Sequence, residues 1–194
     1  MGKLQIMKLD LSQKNVLITG AATGMGRSSA LELAQHGANI SIVDINQDGL
    51  NEVSEKLKSM NANFTSDLMD VTSINEVEDK IEKIEQWFEG GINCLIHFAG
   101  VLEGSVVDID ELTPETWNRI ININLNGTYN VTRAVAKHMK KRNSGVILLT
   151  SSGAGVEGPG SSAPYSSSKG GTHGLTLHLL SLIHISEPTR QHWI

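Results

Sequence analysis

The fold is indicated first by one short segment, Val16-Leu17-Ile18-Thr19-Gly20-Ala21-Ala22-Thr23-Gly24-Met25-Gly26. Its first four residues form a β-branched, apolar run that predicts a buried strand, and a helix is expected from about residue 25 to residue 36. The glycines at 20, 24 and 26 allow a tight turn that can approach a pyrophosphate, and the helix offers free N–H groups there. Gly-rich turns are also common without any ligand, so the position of this turn after the first strand carries the interpretation.

The rest of the chain alternates short apolar runs with longer amphipathic stretches. Strands are predicted at 39–44, 64–68, 92–98 and 146–150, and helices at 47–60, 74–88, 114–142 and from about residue 163. This βαβαβ order predicts an α/β fold with a doubly wound, Rossmann-type parallel sheet in three αβα layers. In such sheets ligands bind outside the carboxyl ends of the strands, so functional residues should follow the strands.

The composition excludes several classes of protein. The chain has 194 residues, which favours one domain over 1–194, and its net charge of −5 lacks the basic excess of a nucleic-acid binder. The single cysteine, Cys94, excludes an intrachain disulfide and favours a reducing compartment. No run has the length of a membrane span or the core of a signal peptide, so we expect a cytoplasmic protein. The spacing of His173, His178 and His184 predicts no metal site.

Asp44 closes the second predicted strand, 24 residues after Gly20. Dinucleotide-binding folds place there the acidic residue that hydrogen-bonds the adenosine ribose. A carboxylate would repel a 2′-phosphate, and Ile45 and Asn46 offer no compensating cation, so NAD is favoured over NADP. The alternative is a loop aspartate that caps the next helix, and the two roles do not exclude each other.

Tyr165 and Lys169 are four residues apart and share one face of the last predicted helix. An ammonium group nearby favours a tyrosinate, which suits the phenol to proton exchange near neutral pH. Ser152 precedes the tyrosine by thirteen residues and lies just past a predicted strand end. Because Tyr-x-x-x-Lys pairs also occur by chance on helix surfaces, the pair alone is weak evidence.

Together these features resemble the short-chain dehydrogenase/reductase family over about residues 8–176. Residues 19–26 are similar to its Thr-Gly-x-x-x-Gly-x-Gly motif, and Asn124, Ser152, Tyr165 and Lys169 match its catalytic residues in order and spacing. Asp70 and Val71 match the pair that holds the adenine. The resemblance implies a cofactor-binding set of Gly20, Thr23, Gly24, Met25, Gly26, Asp44, Asp70, Val71, Ala99, Gly100, Tyr165 and Lys169.

The resemblance also implies a role for each catalytic residue. Tyr165 would exchange a proton with the substrate oxygen, Ser152 would hydrogen-bond that oxygen, and Lys169 would bind the nicotinamide ribose. Asn124 would hold a water that relays protons outward. The implied protein is an NAD(H)-dependent oxidoreductase acting on a small-molecule secondary alcohol or ketone, as a homodimer or homotetramer. The alternatives are a non-catalytic dinucleotide-binding domain and an inactive truncated fragment.

The chain departs from the family pattern at two places. His97 and Phe98 stand where the family commonly has Asn-Asn, although Ala99 and Gly100 keep the close backbone approach to the cofactor. Residues 177–194 resemble no part of the family, and we expect them to be a foreign tail on a chain truncated at its C-terminus. A parallel sheet needs its outer strands and helices, so this chain is expected to aggregate or to depend on a partner, and to show little or no turnover even where NAD weakly binds.

Overall fold

The computed structural model describes residues 9–102, 107–157 and 161–185. The sequence predicts five strands and five helices, and the described residues contain them in the expected order, with one predicted helix divided in two. The strands are β1 (Asn15–Thr19), β2 (Asn39–Asp44), β3 (Phe64–Leu68), β4 (Cys94–His97) and β5 (Val146–Leu149). The helices are α1 (Gly24–Gln35), α2 (Gln47–Ser59), α3 (Ile74–Trp87), α4 (Pro114–Ile121), α5 (Gly127–Arg142) and α6 (Ala163–Ile185).

The strands form one sheet in the order β3-β2-β1-β4-β5. β1 pairs in parallel with β2 and with β4, and β2 pairs in parallel with β3. The chain therefore builds outward from β1 in one direction and then returns to its other side at β4. This is the reversal point at which doubly wound sheets bind ligands, and the predicted Rossmann-type fold is confirmed.

The central strands β1 and β2 are buried on both faces, which explains why they are almost continuously apolar. On one face Val16, Ile18, Ile40 and Ile42 pack with residues of α1 and α2. On the other face a second cluster combines strand residues with residues of α3 and α5: Leu17, Val43, Leu95, Val77, Ile81, Ile84, Val131, Val135 and Met139. The helices on these two faces are the outer layers of the αβα arrangement, and the sheet is its middle layer.

The predicted continuous helix over 114–142 is wrong in one respect. α4 begins as predicted, with Pro114 in its first turn and the Thr113 hydroxyl accepting a hydrogen bond from Thr116 N–H at 3.3 Å. A π-helical turn, Asn122–Asn126, then separates α4 from α5. Such single turns insert one extra residue into a helix and often occur at functional sites, and local periodicity does not reveal them.

The bounds of α3 and the start of α6 are close to the predicted ones. α3 begins at Ile74 as predicted, and this first residue of the helix is half exposed. At the other end of the chain, α6 starts at Ala163 as predicted and continues through Ile185, so residues 177–185 of the predicted tail extend this helix. Residues 186–194 of that tail lie outside the described residues.

Contacts divide the chain into two compact units. Unit 1 comprises Met1–Ala99 and Asn130–Leu148, and unit 2 comprises Gly100–Tyr129 and Leu149–Ile194. In the ranges that the structure describes, none of the helices has both the length and the apolar character that crossing a membrane requires.

Candidate functional site

The glycine-rich turn between β1 and α1 in unit 1 depends on two glycines that tolerate no side chain. Gly20 has φ +67°, and a Cβ on it would lie 2.7 Å from the Ala99 nitrogen. A Cβ on Gly26 would overlap the carbonyl oxygen of Gly20. Thr23 precedes α1 in an extended conformation, and in the described structure its side chain makes no capping hydrogen bond. The first N–H groups of α1 therefore remain available to an anion such as a pyrophosphate.

The residues under this turn tie β1 to β4. Thr19 Oγ1 lies 2.8 Å from Nδ1 of His97 and accepts a hydrogen bond from Ala99 N–H at 3.3 Å. Thr19 and His97 are also partners in the strand register, and both are buried. His97, which the sequence marked as a departure, thus connects the two central strands through a side-chain hydrogen bond.

Asp44 sits at the end of β2, where the sequence placed it. Its Oδ2 accepts a hydrogen bond from Ala22 N–H and its Oδ1 accepts one from Asn46 N–H, both at 3.0 Å. The helix cap is a different residue, because the Asn46 side chain accepts from Gly49 N–H at 3.0 Å. Asp44 therefore fixes the glycine-rich turn instead of capping α2, and each oxygen keeps a lone pair for a further donor.

Asp70 and Val71 follow β3 in the same unit. The Oδ1 of Asp70 accepts hydrogen bonds from the N–H and the hydroxyl of Thr72, both at 2.8 Å. The carbonyl of Val71 accepts from the Nδ2 of Asn130 at 2.9 Å. Sequence reasoning missed Asn130 as a buried support of this segment, because its only local signal was a chance Asn-x-Thr triplet.

The π turn in unit 2 carries Asn124, which is fully buried. Its Oδ1 accepts from Val101 N–H at 2.7 Å, and its Nδ2 donates to the Val101 carbonyl at 2.9 Å and to Ser168 Oγ at 3.2 Å. The hydroxyl of Thr128 donates to the Asn124 carbonyl at 2.5 Å. Asn124 therefore hydrogen-bonds both backbone groups of Val101, which follows β4 and Gly100.

Lys169 and Tyr165 share the first turns of α6. The Nζ of Lys169 lies 5.7 Å from the centroid of the Tyr165 ring and donates to the carbonyl of Thr150 at 2.8 Å. The lysine is 7% exposed, and this burial lowers the pKa of its ammonium group because the charged form loses hydration. The arrangement places a partly desolvated cation beside a phenol ring.

Gly100 lies against this cluster within unit 2. A Cβ on Gly100 would be 3.1 Å from Asn124 Oδ1 and 3.8 Å from Lys169 Nζ. The absence of a side chain thus leaves space beside both polar groups. The structure brings together three predicted site residues here, namely Gly100, Asn124 and Lys169.

Ser152 precedes a short 3₁₀ turn, Gly153–Gly155, and its Oγ accepts from Ala154 N–H at 3.2 Å. This turn packs closely on α6, since a Cβ on Gly155 would lie 2.5 Å from the Gly170 nitrogen. The neighbouring Ser151 donates to the Lys169 carbonyl at 2.8 Å. Gly155 and Gly170 were missed by the sequence analysis because the requirement for them is a close approach of two backbones.

Metal binding and a nucleophilic cysteine are two further kinds of chemistry that the side chains could provide. Within residues 9–102, 107–157 and 161–185, no three His, Cys, Asp or Glu residues are grouped to hold a metal ion. Burial raises the pKa of the Cys94 thiol, which keeps it protonated and poorly nucleophilic.

Comparison with known proteins identifies the family that this chain resembles. A family model described as short chain dehydrogenase matches residues 14–184, so the expectation that residues 177–194 resemble no part of the family is wrong for residues 177–184. The 3-oxoacyl-(acyl-carrier-protein) reductase of Thermotoga maritima is 32% identical over 86% of this chain and 66% of its own length. The 2,3-dihydro-2,3-dihydroxybenzoate dehydrogenase of Bacillus subtilis is 36% identical over 80% of this chain and 59% of its own length.

Solved structures show the same likeness. An NAD⁺-bound xylitol dehydrogenase matches with a TM-score of 0.84 and 32% identity, over 89% of this chain and 66% of its own chain. An actinorhodin polyketide ketoreductase with NADPH matches with a TM-score of 0.82 and 30% identity, over 88% and 66%. The chain thus spans less than two thirds of the length of these four proteins.

Proposed function

The chain belongs to the short-chain dehydrogenase family of oxidoreductases, and from this premise we propose that it is an NAD(H)-dependent enzyme of secondary alcohols or ketones. In this proposal it is a cytoplasmic, single-domain protein that forms a homodimer or homotetramer. The comparisons include both an NAD⁺-bound and an NADPH-bound protein, so the choice of cofactor rests on residues of this chain.

The observation that carries the proposal is the position of Lys169 over the ring of Tyr165 in unit 2. Burial and the hydrogen bond to the Thr150 carbonyl hold the ammonium group in place. Its positive charge would stabilise the negative charge that the phenol oxygen acquires on giving up its proton. Tyr165 is therefore proposed as the acid and base that exchanges a proton with the substrate oxygen.

The other residues of unit 2 support this role. We assign Ser152 to hydrogen-bond the substrate oxygen. Asn124 would hold the water of a proton relay at its backbone carbonyl, because its side chain uses all of its hydrogen-bonding groups within the chain. Lys169 would also bind the nicotinamide ribose. The nicotinamide, when bound, supplies or accepts the hydride.

The residues of unit 1 fit a dinucleotide. Gly20 and Gly26 leave no room for a side chain in the turn, and α1 begins without a side-chain cap from Thr23. The Asp44 carboxylate has a fixed orientation and free lone pairs for ribose hydroxyls. The cation of Arg27 on α1 is countered by Glu52 at 3.0 Å. NAD is therefore proposed in preference to NADP, because a 2′-phosphate would meet an uncompensated carboxylate.

Replacement of Tyr165 by phenylalanine tests the chemistry. The sequence has two tyrosines, so Tyr129→Phe on the half-exposed Tyr129 is a matched control. In a version of the protein continued at its C-terminus to the length of its relatives, wild type and Tyr129→Phe should turn over at least one member of a panel of secondary alcohols and ketones with NAD(H). Tyr165→Phe should lower kcat by about 10²–10⁴-fold, with the NADH Kd changed less than about twofold.

Two results would contradict the proposal. Tyr165→Phe with most of the wild-type activity would show that another group carries the proton. Wild-type protein that binds NADH but turns over no member of the panel would favour a non-catalytic dinucleotide-binding domain.

A further inference from the structure

The side chain of Asn124 uses all of its hydrogen-bonding groups inside unit 2. Its single carbonyl oxygen faces the N–H of Val101, and its two N–H donors face the Val101 carbonyl and Ser168 Oγ. The opposite amide orientation would place an N–H donor against the Val101 N–H, so the contacts fix the orientation. Asn124 is 0% exposed, and bulk water cannot replace a lost partner.

The hydroxyl of Ser168 connects this amide to α6. It accepts a hydrogen bond from Asn124 Nδ2 at 3.2 Å and donates its one proton to the Tyr165 carbonyl at 2.7 Å. Ser168 is also 0% exposed. Its own carbonyl accepts from the Thr172 hydroxyl at 3.0 Å, which stabilises the next turn. One buried hydroxyl therefore joins the π turn to the turn of α6 that carries Tyr165.

Different contacts hold the two functional residues of α6. Lys169 is held at its Nζ by the Thr150 carbonyl and at its own carbonyl by Ser151 Oγ, each at 2.8 Å. Tyr165 is held through its carbonyl by Ser168. The spacing between phenol and ammonium therefore depends on Ser168 as well as on the contacts of Lys169.

We propose that Ser168 is a positioning residue of the reaction, which sets the place of Tyr165 relative to Asn124 and Lys169. It acts through the Tyr165 carbonyl and the Asn124 amide, and it touches neither substrate nor cofactor. The catalytic part of this inference rests on the proposed function, whereas the link from Ser168 to Val101 through Asn124 does not.

Ser168→Ala tests the inference, and Ser167→Ala is its matched control because Ser167 is the exposed neighbour on the same helix. Since small displacements of a reacting group cost up to about 100-fold in rate, Ser168→Ala should lower kcat by about 10–100-fold. KM and the NADH Kd should change less than about twofold, and kcat is expressed per NADH-binding site, so that a loss of folded protein is not counted as a loss of kcat. Ser167→Ala should match wild type.

Hydrogen exchange at the Val101 amide gives a readout that needs no turnover. Without Ser168 Oγ the Asn124 amide loses one of its anchors, so the Val101 N–H should exchange at least about fivefold faster in Ser168→Ala than in Ser167→Ala. If Ser168→Ala does not fold, Ser168→Cys replaces it, because a cysteine has a similar size and keeps a weak donor. For this variant, a kcat and a Val101 exchange rate between the wild-type values and those expected for alanine would support the inference.

The outcomes separate the two proposals. A wild-type chain without turnover and without NADH binding contradicts the proposed function, and Val101 exchange then decides the role of Ser168. Equal kcat in the two serine variants of an active enzyme overturns the inference, as does equal Val101 exchange in those variants.

Discussion

The parallel sheet in unit 1 has an amino edge, where its strands begin, and a carboxyl edge, where they end. The polar residues at these two edges differ in where their hydrogen-bond partners lie. At the amino edge, an asparagine ladder of Asn63, Asn39 and Asn15 runs from strand to strand. Asn63 donates to Asn39 Oδ1 at 2.9 Å, and Asn39 donates to Asn15 Oδ1 at 2.8 Å. Asn15 then donates to the carbonyls of Glu89 and Gly91 at 2.7 and 2.8 Å. This edge satisfies its polar side chains within the chain itself.

The carboxyl edge keeps hydrogen-bonding capacity free. The turn at Gly20 exposes the start of α1 without a side-chain cap from Thr23. Asp44 is bonded to Ala22 and Asn46 but has unused lone pairs. Polar residues at strand ends stabilise the fold where their hydrogen-bond partners lie within the chain. Where they keep free hydrogen-bonding groups, as at the carboxyl edge, they can bind a ligand.

Gly26→Ala should produce the largest effect, at the carboxyl edge. Its Cβ would overlap the Gly20 carbonyl oxygen, so the turn must open and NADH affinity should fall more than about 100-fold. Gly90→Ala at the amino edge is the control, since Gly90 has φ +81° and open space around a Cβ. It should cost about 1–2 kcal/mol of stability and leave the NADH Kd unchanged. Fluorescence titration measures the NADH Kd, and urea unfolding measures the stability. Equal Kd values for the two variants would contradict the distinction between the edges.

Asn15→Ala should have the largest effect on stability at the amino edge. Asn15 is 2% exposed, and its loss leaves the carbonyls of Glu89 and Gly91 without this donor. We expect the free energy of unfolding to fall by about 2–4 kcal/mol, with the NADH Kd within about twofold of wild type. A weakened NADH Kd in folded Asn15→Ala protein would show that the amino edge also shapes the cofactor turn.

Asp44→Asn should change cofactor choice more than stability. Removing the carboxylate charge should reduce the preference for NADH over NADPH by about tenfold, which corresponds to about 1.4 kcal/mol. Asp48→Asn removes the same charge from the exposed first turn of α2 and should leave the preference unchanged. Dissociation constants of both cofactors measured by fluorescence test this, and an equal preference in wild type and Asp44→Asn would refute the role of Asp44.

Asn63→Ala should have the smallest effect. Asn63 lies at the exposed end of the asparagine ladder and donates a hydrogen bond to Asn39 Oδ1. Because water can replace that partner, unfolding should become easier by less than about 1 kcal/mol. Urea unfolding beside Asn15→Ala tests the gradient along the ladder, and equal losses in the two variants would contradict it.

The sequence predicted the order of the elements, and the site residues that it named stay predictions. The apolar runs, the glycines at 20 and 26 and the four-residue spacing of Tyr165 and Lys169 are local patterns, and local patterns specify strands, turns and helix faces. The π turn at Asn122–Asn126 escaped prediction because its flanking helices share one continuous amphipathic pattern. His97 was noticed only as an unusual residue, and the structure supplied its bond to Thr19.

The doubly wound α/β order and the position of Asp44 after β2 follow from the sequence alone, since both depend on residues close together in the chain. The burial of Asn15 with its backbone partners, and the link from Asn124 through Ser168 to Tyr165, become visible in the folded chain. Asn15 meets Gly91 across 76 residues, and Asn124 meets Ser168 across 44. Hydrogen bonds over such separations depend on how strands and helices pack, and no local periodicity encodes which polar side chains that packing buries together.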